Sequence, residues 1–159
     1  MRTVCLDVAA PAAAFAAAGL ASGSADHVLM NPPFNAPQNP SPDPGRRTAR
    51  TASHETLARW VSMATRLLRR SGVVTLIWRA DGLGEVLSAL ATGFGAIAVL
   101  PIHPKPGVAA IRVLVRAVND RSGPLALLPG FVLADAEGKP TAQAEAVLRE
   151  GAVLPLSGS

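Results

Sequence analysis

Short apolar runs alternate along this chain with stretches in which apolar positions recur every three to four residues, the two rhythms that separate strands from amphipathic helices. Thr3 to Val8 reads as a short β-branched, apolar strand whose carboxyl end carries Asp7. Pro11 and Gly19 bracket Ala12 to Ala18, and proline at the start with glycine at the end predicts a small helix. Asp26 to Met30 is a second strand, stopped by Asn31-Pro32-Pro33 because proline has no N–H to give to a ladder. From His54 to Arg70 the period becomes helical: Ser53 suits the N-cap, Glu55 the first turn, and Leu57, Trp60, Val61, Ala64, Leu67 and Leu68 share a face. Arg66, Arg69 and Arg70 load the last turns and Gly72 closes them. Val73 to Trp78 is a continuous apolar run, as in a strand covered on both faces.

The second half continues the alternation. Gly82 to Thr92 predicts a helix through Leu83, Val86, Leu87 and Leu90; Ala96 to Leu100 and Ala110 to Ala117 predict strands, with a turn over Pro101 to Gly107 between them. Strand and helix in alternation imply an α/β sheet covered by helices. After Arg121 come an expected strand from Leu125 to Leu133, a turn around Gly138 and a short helix from Thr141 to Arg149, so residues 122–159 form a C-terminal appendage. Asn35 to Ser53 is instead a long loop, with Pro37, Pro40, Pro42 and Pro44 preceding Arg46, Arg47 and Arg50; loops of this length are lids, binding segments or disordered.

Composition narrows the class. A chain of 159 residues, 49% apolar and 16% charged, has material for one core and one domain. No run approaches the roughly 20 apolar residues of a membrane helix. Asp7, Pro11 and Gly19 interrupt what would otherwise resemble a signal peptide, so a cytoplasmic location is expected. A single cysteine, Cys5, excludes an internal disulfide. The formal charge of +4 is carried almost wholly by arginine, consistent either with an anionic partner or with a solvated basic surface. Aromatic residues at 4% do not make a stacking platform for single strands. His27, His54 and His103 lack metal-ligand spacing, and no nucleophile has a spaced base, so neither a metal site nor covalent catalysis is expected.

The informative motif is Asn31-Pro32-Pro33-Phe34, placed where an apolar strand ends, because open α/β sheets bind ligands at the carboxyl ends of their strands. Together with Asp26 to Met30 before it, the passage through His54 and Trp60, Ser71-Gly72-Val73-Val74, and Ile102 to Gly107 leading into Arg112 to Ala117, it resembles the class I S-adenosylmethionine-dependent methyltransferases. Within them the chain is most similar to the bacterial tRNA adenine-N6 methyltransferases, over about Thr3 to Ala152.

That resemblance implies a partial Rossmann-like sheet, mixed with its last strand antiparallel and flanked by helices. It implies S-adenosyl-L-methionine as cofactor and an adenine amine in RNA as acceptor. The catalytic residues it implies are Asn31, Pro32, Pro33 and Phe34: Asn31 and the Pro32 carbonyl as acceptors for the amine hydrogens, the prolines to fix the backbone, and Phe34 to stack on a base withdrawn from its neighbours. Asp7, Val8 and Asn31 would adjoin the cofactor, while Phe34, Arg46, Arg47, Arg50, His103 and Lys105 would contact substrate RNA. The family's opening strand, glycine-rich turn and second strand have no counterpart before Thr3, which implies a member lacking its first two strands.

The family's sheet order, 3-2-1-4-5-7-6, then leaves the last four strands contiguous and parts Thr3 to Val8 from both its neighbours. Either that strand pairs directly beside Asp26 to Met30, or a second copy of the chain covers the exposed edge as a homodimer. The same motif also serves methylation of a glutamine amide or of an amine in DNA, and a non-catalytic RNA- or protein-binding module is the reading outside enzymes.

Overall fold

The computed structural model describes residues 3–33, 45–154 and 156, with 45–54 described by their backbone alone. Two helices open and flank the first strand: α1 (Ala12–Ala17), β1 (Ala25–Met30) and α2 (Gly45–Leu67). Then follow β2 (Leu68–Arg79), a 3-10 turn over Ala80–Gly82, α3 (Leu83–Leu90), β3 (Phe94–His103) and β4 (Arg112–Asn119). Two short strands, β5 (Ala126–Leu127) and β6 (Phe131–Val132), and α4 (Ala142–Glu150) complete the described elements.

The six strands form one mixed sheet in the order β1-β2-β4-β3-β5, with β6 also pairing β3. β1 and β2 are parallel, and β4 is antiparallel to both β2 and β3. It follows that β1, β2 and β3 point the same way and end at one edge. The four long strands are thus contiguous, in the order the resemblance implies.

Alternation along the strands gives the sheet two cores. On one face Met30, Val74, Leu76, Trp78, Val99, Val113 and Val115 meet Leu57, Val61 and Ala64 of α2 and Val86 and Leu90 of α3. The intervening positions Leu100, Ile102 and Leu114 belong to a second cluster with Phe131, Leu133, Ala144 and Val147, which fastens the C-terminal segment to the other face. β1 lies at the edge of the sheet, and Leu29, on a face opposite to Met30, is 76% exposed.

Several expectations are corrected. Thr3 to Val8 forms no strand: a β-branched run needs a ladder partner, and Thr3, Val4 and Cys5 are instead exposed. The long loop expected to reach Ser53 gives way to helix at Gly45, directly after the last proline of the run, where arginine, threonine and alanine all tolerate helical backbone. The same helix ends at Leu67, short of Arg70. Arg69 to Gly72 instead make a bulge in β2, where the four residues between Leu68 and Val73 are set against the single residue between Ala25 and His27 on β1. Ser71 adopts φ 60° there, and a Cβ on Gly72 would come within 2.9 Å of the Arg69 carbonyl oxygen. The turn placed over Pro101 to Gly107 starts later, since β3 runs to His103. The strand expected from Leu125 to Leu133 is two two-residue strands separated by Leu128, Pro129 and Gly130. Among the described residues no helix is long and apolar enough to cross a membrane.

Candidate active site

The shared carboxyl edge of β1, β2 and β3 carries most of the chemistry-bearing positions. Asn31 follows directly on β1 and is exposed, whereas the ring of Pro32 is fully buried and Pro33 is exposed again. A buried proline between two exposed residues is a rigid mount, because its φ is fixed by the ring and its side chain by packing. Met30, 4% exposed, anchors the same segment from the strand side. Phe34 lies outside the described residues.

Helix α2 descends from this edge. Its carboxyl end sits beside the start of β1, where the Gly23 N–H donates to the Arg66 carbonyl at 3.0 Å. At 1.5 Å per residue the helix is about 33 Å long, against roughly 17 Å for β1, so its first turns overshoot the carboxyl edge by about 15 Å. The backbone at Arg46, Arg47 and Arg50 belongs to that overhang; their side chains lie outside the described residues.

Asp7 is exposed and its Oδ1 accepts the Ala9 N–H at 2.7 Å, closing a turn that leads into α1. The next three residues, Val8, Ala9 and Ala10, form one wall of an open cleft of about 480 Å³ whose other wall is Ala58, Arg59, Ser62, Met63 and Arg66 of α2. The Arg66 guanidinium lies 4.6 Å from the ring centre of Phe15, the buried residue of α1.

His103 and Lys105 stand at the far end of the same edge, three strand spacings or about 14 Å from β1. Both are engaged with the turn and the appendage. His103 Nδ1 pairs with the Val108 carbonyl at 2.7 Å, its ring lies against Gly130, and Lys105 Nζ donates to the Ala136 carbonyl at 3.2 Å. The structure therefore gathers Asn31, Pro32 and Pro33 at one point, puts Asp7 and Val8 beside a cleft, and leaves His103 and Lys105 apart from both. The sequence reading assigned no role to Arg79 and Arg112, which β-pairing sets opposite each other at this edge; Arg79 is a charged residue at the end of an apolar run, which was an available signal, whereas Arg112 lies inside the Ala110 to Ala117 run and gave none. Among the described residues no group of three or more His, Cys, Asp or Glu is placed to hold a metal ion.

Over 93% of its length the chain aligns with the crystal structure of a predicted O-methyltransferase from Agrobacterium tumefaciens, with a TM-score of 0.74 and 24% identity. That likeness shows the fold, and the chain spans 62% of that protein's length. A looser alignment, TM-score 0.49 at 17% identity, covers 91% of this chain and 60% of a protein named as a DNA modification methylase from Thermus thermophilus, solved with S-adenosyl-L-methionine. No family model and no curated protein matches the chain. The fold, a mixed α/β sheet flanked by helices, is thus one found in methyltransferases.

Proposed function

We propose that this chain is a cytoplasmic S-adenosyl-L-methionine-dependent N-methyltransferase acting on the N6 amine of adenine in RNA, with tRNA as the substrate class. The observation that carries the reading is the mount at the end of β1: an exposed Asn31 held by a buried Pro32 at the carboxyl edge of a sheet of methyltransferase order. The aromatic amine of adenine is a weak nucleophile because its lone pair is delocalised into the ring. Asn31 Oδ1 and the Pro32 carbonyl would each accept one of its two N–H groups and turn the lone pair out of the ring plane. The two prolines remove N–H donors that would compete for those acceptors, so the arrangement exists before substrate arrives. Phe34 would stack on the withdrawn base.

S-adenosyl-L-methionine, when bound, supplies a methyl group on a sulfonium. The residues present suit its purine end: Val8, Ala9 and Ala10 make an apolar wall, and the exposed Asp7 carboxylate can accept from an exocyclic amine. The volume of the adjoining cleft is within the range of small-ligand sites. Arg46, Arg47 and Arg50, on the overhang of α2, would meet the RNA backbone, and a substrate as large as tRNA would also reach His103 and Lys105.

Calorimetric titration with S-adenosyl-L-methionine and with S-adenosylhomocysteine tests the reading. One saturable site for both ligands is expected, weakened by Asp7→Ala. Heats no larger than dilution for either ligand would contradict it. Parallel assays on DNA and on a glutamine-containing release factor separate the other acceptors that the same mount could serve, and RNA retention without methyl transfer would mark a binding module.

A further inference from the structure

The cleft between residues 8–10 and α2 carries more positive charge than S-adenosyl-L-methionine accounts for. Arg59 and Arg66 line it, with Ser62 between them, and no carboxylate does. Asp7, the nearest acid in sequence, has one oxygen engaged by the Ala9 N–H. Among the described residues no ion pair joins Arg59 or Arg66 to an acid, although Glu55 lies one turn before Arg59. The cofactor bears a sulfonium and an ammonium against a single carboxylate, so its net charge is positive and a pair of guanidiniums does not attract it.

The helix sets the arrangement. Leu57, Val61 and Ala64 turn to the sheet, and Arg59, Ser62, Met63 and Arg66, three or four residues apart, form a neighbouring stripe. The Arg66 guanidinium rests on the buried Phe15 ring, a contact that holds it in place without spending its hydrogen bonds, and its Nε is buried with no partner among the described residues. Arg59 is two turns away, about 10 Å along the axis, so an extended anion matches the stripe better than a point ion. Across the cleft, Val8, Ala9 and Ala10 offer an apolar wall to a flat base. We infer that the cleft takes a nucleoside phosphate, its base against Val8, Ala9 and Ala10 and its phosphates against Arg59, Ser62 and Arg66. Guanidinium forks match phosphate oxygens two at a time, and the serine hydroxyl adds a donor. A cleft of about 480 Å³ has room for a ligand of that size. The base uses the wall that suits the purine of the cofactor, so nucleotide and cofactor compete, and the arginines favour the anionic one of the two.

The test is calorimetric titration of the full chain with adenosine diphosphate and with adenosine, at low and at high salt. The diphosphate is expected to bind about tenfold more tightly than adenosine at low salt and to lose most of that preference at high salt, where the charges are screened. Arg66 lies in the last turn, where a cation also suits the helix end, so the diagnostic variant is Arg59→Gln, at an exposed position of the stripe. It should weaken the diphosphate by about threefold to tenfold, leave adenosine unchanged and keep the melting temperature, and Arg59→Lys should return part of the loss with the charge. Equal binding of the two ligands by the unaltered protein, binding of neither, or a preference undiminished in Arg59→Gln overturns the seat. A short single-stranded RNA added as competitor separates two sources of the phosphate: displacement of the diphosphate assigns the seat to a strand, its absence assigns it to a free nucleotide, and both support it. Binding of S-adenosylhomocysteine without the diphosphate overturns the seat and keeps the cofactor reading; binding of the diphosphate without S-adenosylhomocysteine supports the seat and overturns the cofactor reading alone.

Discussion

A Cβ at Gly95 would lie 2.0 Å from the Arg121 carbonyl oxygen, a backbone atom with no freedom to move aside. The pairing of β3 with β4 is irregular between Gly95 and Ala98, and Ala96 adopts φ 48° in the same stretch. Gly95→Ala should therefore cost at least ~2 kcal/mol, as an overpacked buried position does, and a lowered urea midpoint would show it. Gly84 is the opposite case: in α3, with open space where a Cβ would go, Gly84→Ala should stabilise by about 0.5 kcal/mol in the same measurement. Asn31 belongs to neither class. It is exposed and its segment is held by Pro32 and Met30, so Asn31→Ala should leave the unfolding midpoint within about 0.5 kcal/mol of the parent while removing whatever Asn31 does chemically.

At the scale of elements, α4 depends on a single residue at its start. Thr141 Oγ1 accepts the Ala144 N–H at 3.1 Å and donates to the Val132 carbonyl at 2.8 Å, so one hydroxyl caps the helix and ties it to β6. Thr141→Val should cost about 1–2 kcal/mol and speed hydrogen exchange in residues 142–150 ahead of the main sheet, whereas Thr141→Ser should restore both. The sequence placed Thr141 inside that helix and did not single it out as a cap; the proline and glycine around α1 and the apolar run of Val73 to Trp78 were legible, because each signal lies within a few residues of its effect. The Thr3 to Val8 run was misleading for the converse reason: a strand exists only against a partner, and no local pattern supplies one. The first turns of α2 were masked by the proline-rich stretch immediately before them, and the bulge at Arg69 to Gly72 by arginines that suit a helix end equally well. In the candidate site, Asn31-Pro32-Pro33 was legible because it is contiguous. The facing of Arg79 and Arg112 was not, because register alone joins residues so far apart in sequence.

For the whole molecule, the open flank of β1 is the feature with the largest consequence. Among the described residues no strand pairs its outer edge, and Leu29 beside that edge is 76% exposed. An unpaired edge with an exposed apolar side chain is a template for another strand, and we propose that a second copy of the chain covers it. Sedimentation velocity should show a concentration-dependent dimer that Leu29→Lys reduces to monomer without loss of secondary structure; a monomer at all concentrations would contradict the proposal. Such pairing would leave the carboxyl edge, with Asn31 at its β1 end, facing out of the plane of association.

The account turns on Asn31 as the acceptor that aims an adenine amine at a methyl donor, and transfer from methyl-labelled S-adenosyl-L-methionine to tRNA, read as labelled nucleosides, tests it most directly. The prediction is label in N6-methyladenosine with the unaltered chain and its loss, by a hundredfold or more on the scale of a missing electrostatic contact in a transition state, with Asn31→Ala at unchanged stability. Label in a different nucleoside, no label at all, or equal transfer by Asn31→Ala would contradict it.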